Sequence, residues 1–208
     1  MKHEWRKKEK EYYLPKNIPE IVNVLEFKFL TIEGEGNPND EFFSEYITAL
    51  YSLSYPIKMT LKKQATKPKG YSDYTVYPLE GVWDINEEAK KKFDGKLNKN
   101  DLVFKLMIRQ PNFVDEIFFN EILELTNKKK PNKLLDRVRF EKIEEGKCVQ
   151  MLHIGSYDDE PKSFELMEEF AKENNLTRLS KVHREIYLSD FRKVAPEKLK
   201  TVLRFKVN

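Results

Sequence analysis

The chain has 208 residues, 39% hydrophobic and 35% charged, the make-up of an ordinary globular protein with enough apolar material for one large domain or two small ones. Lysine and arginine exceed aspartate and glutamate by only 38 to 35, so charge alone gives no nucleic-acid signal, and a single cysteine, Cys148, excludes an internal disulfide framework. No apolar leader opens the chain and no run approaches the roughly 20 apolar residues that span a bilayer, which together point to a cytoplasmic protein without membrane contact. The compositional oddity is aromatic: 14 Phe, 10 Tyr and 2 Trp call for a ring-rich core or a pocket for flat ligands.

In chain order, Met1–Lys16 is a polar arm anchored by Trp5, with Pro15 and Pro19 breaking any helix. Ile21–Ile32 has the β-branched and aromatic content of one strand, followed by the loop Gly34-Glu35-Gly36-Asn37-Pro38. A helix capped by Asn37 then carries Phe43, Tyr46, Ile47, Leu50, Leu53 and Ile57 at helical spacing. Lys62–Gly70 is a basic loop without interleaved aromatics. Tyr71–Ile85 reads as a strand with a bulge, since Pro78 and Gly81 both argue for a kink, and this leaves open whether Glu80 and Trp83 share a face. Leu102–Arg109 alternates, with Leu102, Phe104, Leu106 and Ile108 on a core face and Lys105, Met107 and Arg109 on a mixed one.

Pro111 opens a second helix through about residue 127, bearing Val114, Ile117, Phe118, Ile122 and Leu125. Arg137–Ile143 and Lys147–Ile154 flank Glu144-Glu145-Gly146 as a hairpin, and Asp158 or Asp159 caps a third helix with Phe164, Met167, Phe170 and Ala171, closed by Asn174-Asn175. Two last strands, Lys181–Asp190 and Thr201–Val207, form a hairpin. The order strand, helix, strand, strand therefore occurs twice, in about 21–109 and 137–207. The fold class expected is α+β: one domain over 1–208, a duplicated module with pseudo-two-fold symmetry, and an antiparallel sheet with a central ligand groove between helix-free faces.

The chemistry centres on Lys181–Asp190. Period two puts His183, Glu185 and Tyr187 on one face and Val182, Arg184, Ile186 and Leu188 on the other. A carboxylate between an imidazole and a phenol is either a satisfied polar island or the floor of a binding site. A metal site is disfavoured, because only three histidines exist and no i, i+4 His pair or Cys cluster is present. Cys148 alternates into a strand as a small hydrophobe, and Gly34-Glu35-Gly36 is too short for a phosphate-cradling loop. Glu185 and Glu80 remain, among Tyr71, Tyr74, Tyr77, Trp83, Lys105, Met107, His153, His183 and Tyr187. This set is either a polar network within the core or a pocket for a flat, cationic organic molecule held by stacking, cation–π attraction and a buried carboxylate.

Several blocks, in order, carry a resemblance: Glu4-Trp5-Arg6-Lys7-Lys8-Glu9-Lys10, Gly34-x-Gly36-Asn37-Pro38-Asn39, Tyr77-Pro78-Leu79-Glu80-Gly81-x-Trp83, Lys105-x-Met107-Ile108-Arg109-Gln110-Pro111, His153-Ile154-Gly155-x-Tyr157-Asp158-Asp159-Glu160-Pro161 and His183-x-Glu185-Ile186-Tyr187-Leu188-Ser189-Asp190. With these the chain resembles the GyrI-like family of small-molecule-binding proteins, related in fold to the effector domains of multidrug-sensing regulators. Ser156 and Phe191 stand where the family pattern has proline. The resemblance implies a stand-alone, monomeric binder of flat aromatic or cationic drug-like molecules, without cofactor, metal or direct DNA contact. Some relatives are similar to cyclopropane hydrolases that detoxify DNA-alkylating compounds; this implies Glu185 as general base, Tyr187 as a donor to a developing oxyanion, and Tyr71, Tyr74, Tyr77, Glu80, Trp83, Lys105, Met107, His153 and His183 as ligand contacts. A non-catalytic binder or sensor is the alternative, and a gyrase-interacting protein a more distant one.

Overall fold

A computed structural model describes residues 2–208. The strands are β1 (Glu20–Val24), β2 (Phe27–Glu35), β3 (Leu79–Ile85), β4 (Leu102–Gln110), β5 (Arg139–Ile143), β6 (Gly146–Ile154), β7 (His183–Tyr187) and β8 (Lys200–Lys206). The helices are α1 (Trp5–Lys8), α2 (Lys10–Tyr13), α3 (Glu41–Lys63), α4 (Glu87–Lys91), α5 (Glu116–Lys129) and α6 (Glu160–Glu173). The protein is of the α+β class with antiparallel sheet, and the order strand, helix, strand, strand is met twice along the chain, as β2, α3, β3, β4 and as β6, α6, β7, β8.

The chain forms two compact units. The first comprises Phe27–Tyr77 and Ile85–Ile143 with the N-terminal tip ahead of Trp5. Its strands run β4-β2-β5, and α3 packs on β2 and β4 and against α5. Gly34 is in β2 because nothing larger fits: a Cβ there would stand 2.5 Å from the Phe104 ring and 2.8 Å from that of Tyr46. In α5 the buried side chains are Phe119 and Ile122, while Ile117 is 73% exposed, so the apolar stripe is rotated from the one expected. The Asp115 side chain accepts from Phe118 N at 2.9 Å and fixes where that helix begins.

The second unit comprises Trp5–Glu26, Pro78–Asp84 and Glu144–Asn208, with strand order β1-β6-β8-β7-β3. Here α6 lays Met167 and Ala171 on Val149, Met151, Leu203, Phe205 and Val207, with Phe164 and Phe170 packed at the margin. Each such side chain removed from water contributes about 1.5–3 kcal/mol. Asn175 ends the α6 turn in the left-handed region, φ 56°, as the Asn-Asn pair foretold.

Three local expectations differ from the structure. Ile21–Ile32 is not one strand: the chain breaks at Leu25-Glu26, β1 pairing β6 in the second unit and β2 pairing β4 and β5 in the first. The hairpin across Glu144-Glu145-Gly146 is absent for the same reason, since β5 pairs β2 while β6 pairs β1 and β8. β3 carries no bulge. It pairs β7 in unbroken register from Glu80↔Ile186 to Trp83↔His183, with Pro78 standing just ahead of the strand.

Candidate functional site

Antiparallel partners point to the same face, so the register of the second unit sorts its polar residues. One row is Val82, Arg184, Arg204, Gln150 and Glu20, with Glu80 on the same face. The other face carries the rows Gly81, Glu185, Leu203, Met151 and Tyr187, Thr201, His153, together with the pair Trp83 and His183. Glu80 and Trp83 therefore point to opposite sides of β3. Leu203 and Met151 lie under α6, so Glu185 shares the face that a helix covers, and not a helix-free one.

On the first face, Arg184 Nη1 donates to Glu80 Oε2 at 2.7 Å, and its Nε is 3.1 Å from Glu145 Oε1. Arg204 Nη1 donates to Glu145 Oε2 at 3.2 Å and Arg204 Nη2 to Gln150 Oε1 at 2.7 Å. The N-terminal arm closes this layer: Arg204 Nη2 donates to Tyr12 O at 2.8 Å, Gln150 Nε2 to Glu11 O at 2.6 Å, and Tyr13 OH to Glu80 Oε1 at 3.5 Å. Burial opposes ionisation of Glu145, but Arg184 and Arg204 outweigh it and hold its carboxyl below the usual range. Two guanidinium groups and two carboxylates thus balance, and Glu80 belongs to a structural ion network.

The second face holds Glu185, 8% exposed. His183 Nε2 lies 3.1 Å from Glu185 Oε1. Tyr187 OH accepts from Trp83 Nε1 at 2.8 Å and lies on the same face of β7 as Glu185. Phe164 of α6 meets the His183 ring edge-on at 4.7 Å, and Tyr157 meets Tyr187 in the same manner at 6.0 Å. Gly81, opposite Glu185, places no side chain there. Burial, and then the charge of Glu185, push the Tyr187 and Tyr157 phenols well up, so both remain protonated donors.

A second carboxyl completes the cluster. Glu160, 6% exposed, is the first residue of α6, between Tyr157, which meets Tyr187, and Phe164, which meets His183, and so stands over Glu185. Among the described residues its buried Oε1 has no hydrogen-bond partner; a proton on Glu160 gives it a hydrogen to donate to the neighbouring carboxylate. Burial, Glu185 and Asp158 raise the Glu160 carboxyl well above its ordinary value. In sequence Glu160 is hidden, because an acidic residue at a helix start reads as a partner of the helix dipole. Its spacing with Phe164, Met167 and Ala171 was the available signal: a carboxyl in line with an apolar stripe.

His153 sits on the same face of the second unit. Ser163 Oγ is 2.9 Å from its Nδ1 and Ser156 O is 3.0 Å from its Nε2, beside a cavity of about 370 Å³ that Asp159 and Lys162 also line. The other expected contacts belong to the first unit and have partners there. Tyr71 and Tyr74 pack on Phe113, at 5.3 and 5.9 Å between centroids. Tyr77 lies 4.7 Å from the Arg109 guanidinium, and Met107 is fully buried. Lys105 is held by Glu33 at 3.0 Å and Glu141 at 3.2 Å; burial works against its charge, but those two carboxylates raise it overall.

Two crystal structures of hydrolases from Listeria innocua are similar to this chain throughout. One is 38% identical with a TM-score of 0.88 and covers 100% of both chains. The other is 36% identical with a TM-score of 0.87, covering 99% of this chain and 100% of its own. The C-terminal domain of EcmrR shares the fold at 14% identity and a TM-score of 0.52, over 91% of this chain and 96% of that domain. No curated protein matches the sequence. The description of the GyrI-like small molecule binding domain fits residues 18–208, and the chain belongs to that family.

Proposed function

We propose that the protein hydrolyses flat, electrophilic, drug-like molecules, opening the strained ring of cyclopropane-bearing alkylators, with Glu185 as general base. The observation that carries this reading is the Glu185 carboxylate, buried yet 3.1 Å from His183 Nε2 and on one face of β7 with Tyr187. Full-length similarity to Listeria innocua hydrolases supports the reaction class.

The step is simple to balance. A water oxygen attacks the ring methylene while Glu185 takes its proton; the C–O bond forms as a cyclopropane C–C bond breaks. That electron pair flows into the conjugated dienone, whose oxygen becomes a phenolate and takes up a proton, and Glu185 returns its own to solvent. Aromatisation supplies most of the driving force, so general base catalysis suffices. Tyr187, held by Trp83 on the same face of β7 as Glu185, keeps its phenol protonated beside the base. Loss of the electrophile detoxifies the compound.

Incubation with a spirocyclopropyl cyclohexadienone should yield the ring-opened alcohol. Glu185→Gln should cut turnover by roughly 10²–10⁴-fold while a neutral ligand still binds. The family's description as a small-molecule-binding domain favours a second reading, a non-catalytic binder. Bound but unchanged dienone in the wild type would select it.

A further inference from the structure

The face of β7 that carries Glu185 holds one carboxyl more than general base catalysis needs. Glu160 comes from a different element, the first turn of α6, and both carboxyls are withdrawn from water, at 6% and 8% exposure. Two carboxylates in contact in so dry a place cannot both be ionised. Which one keeps the proton follows from the donors. His183 Nε2 stands 3.1 Å from Glu185 Oε1, whereas Glu160 Oε1 is buried without a partner among the described residues unless the carboxyl itself carries hydrogen. The negative charge therefore settles on Glu185. We infer that Glu160 is a positioning residue that retains a proton at neutral pH and donates it to Glu185, so that the two carboxyls work as one singly charged pair.

The groups around this pair come from several elements: His183 and Tyr187 from β7, Tyr157 and Asp158 from the turn ahead of α6, and Asp190 beyond β7, whose charge reaches Tyr157. Asp158 and Glu185 are acidic, and ionisation of Glu160 meets their repulsion; burial and these two charges hold the Glu160 carboxyl well above its ordinary range. The pair is active as base only in its singly protonated form. Above the pH range of that form Glu160 ionises and the hydrogen bond that orients Glu185 is lost.

The inference rests on Glu185 acting as the base, so its test has one arm that needs no turnover. In protein carrying ¹³C-labelled glutamate carboxyls, one side chain should titrate far above the others, and that resonance should be missing from Glu160→Gln. In Glu185→Gln, where the neighbouring charge is gone, the Glu160 resonance should titrate lower than in the wild type. Wild-type protein in which every glutamate titrates in the ordinary range overturns the proposal, whether or not Glu160→Gln folds. In the kinetic arm, the alkaline limb of the kcat/KM profile should disappear in Glu160→Gln, and Glu160→Ala should lose roughly tenfold at the optimum, the worth of one net hydrogen bond. An alkaline limb unchanged in Glu160→Gln overturns the positioning role. Absence of wild-type ring opening counts against the hydrolase reading alone, because the titration still decides who holds the proton.

Discussion

Arg184 and Glu185 are neighbours in the chain, and the pleat of β7 sends them to opposite faces with opposite consequences. On the Arg184 face, charges of both signs are buried together: Glu80, Glu145 and Arg204 compensate one another, and backbone carbonyls of the arm take up the spare donors. On the Glu185 face, two like groups are buried together, and only a shared proton makes the arrangement tolerable. Neutralised charge is inert and holds structure. Like charge forced together is poised to move a proton, and a functional site needs that property. The largest effect should come from breaking the balance on the first face. Arg184→Met leaves Glu80 and Glu145 with one guanidinium between them, and should cost about 3–5 kcal/mol, read as a drop in denaturant midpoint. Replacing Glu80 and Arg184 together by Met should recover most of that loss. A single mutant as stable as the wild type would show that the network is not closed as described.

The two faces also differ in how much of them could be read from sequence. Period-two alternation placed His183, Glu185 and Tyr187 on one side of β7 and Arg184 on the other, and the register agrees. That inference needs only the strand itself. The Glu145 role could not be read this way, because locally Glu144-Glu145-Gly146 is indistinguishable from a turn, and its burial depends on arginines supplied by two later strands. The break at Leu25-Glu26 has no Gly or Pro to announce it; tertiary pairing with β6 sets it. Gly81 looked like a bulge and is instead a regular position opposite Glu185. In each miss the deciding partner lies far along the chain, beyond the reach of a local pattern.

The second effect sharpens the contrast through pH. A carboxyl with a raised folded value holds its proton where the unfolded chain has released it, so the Glu160 contribution to stability is fully present below about pH 4.3 and falls as pH rises, by up to about 1.4 kcal/mol per unit, until the folded group ionises too. Glu145 is lowered, so its contribution is present above the unfolded value and is lost as pH falls through the folded one. Glu160→Gln removes the first slope and keeps the second. Its melting temperature should match the wild type near pH 4 and exceed it progressively towards neutrality. A difference independent of pH would mean that the pair does not share a proton.

The smallest effect separates two substitutions across one hydrogen bond, Trp83 Nε1 to Tyr187 OH at 2.8 Å. Tyr187→Phe removes the acceptor of the Trp83 N–H in a residue only 5% exposed. An orphaned buried donor costs about 1–3 kcal/mol. Trp83→Phe removes the other end. No buried donor is orphaned, and only the net worth of one bond, about 1 kcal/mol, is lost along with some ring packing. The stability order should therefore be wild type, then Trp83→Phe, then Tyr187→Phe. Catalysis should follow the same order for a different reason, because Tyr187→Phe removes a hydroxyl from the face that carries Glu185 whereas Trp83→Phe acts there only through Tyr187. Steady-state turnover and chemical denaturation on the same preparations check both. If Trp83→Phe proved the more damaging for turnover while folding normally, the indole would be touching substrate, and Trp83 would move from supporting Tyr187 to contacting the ligand.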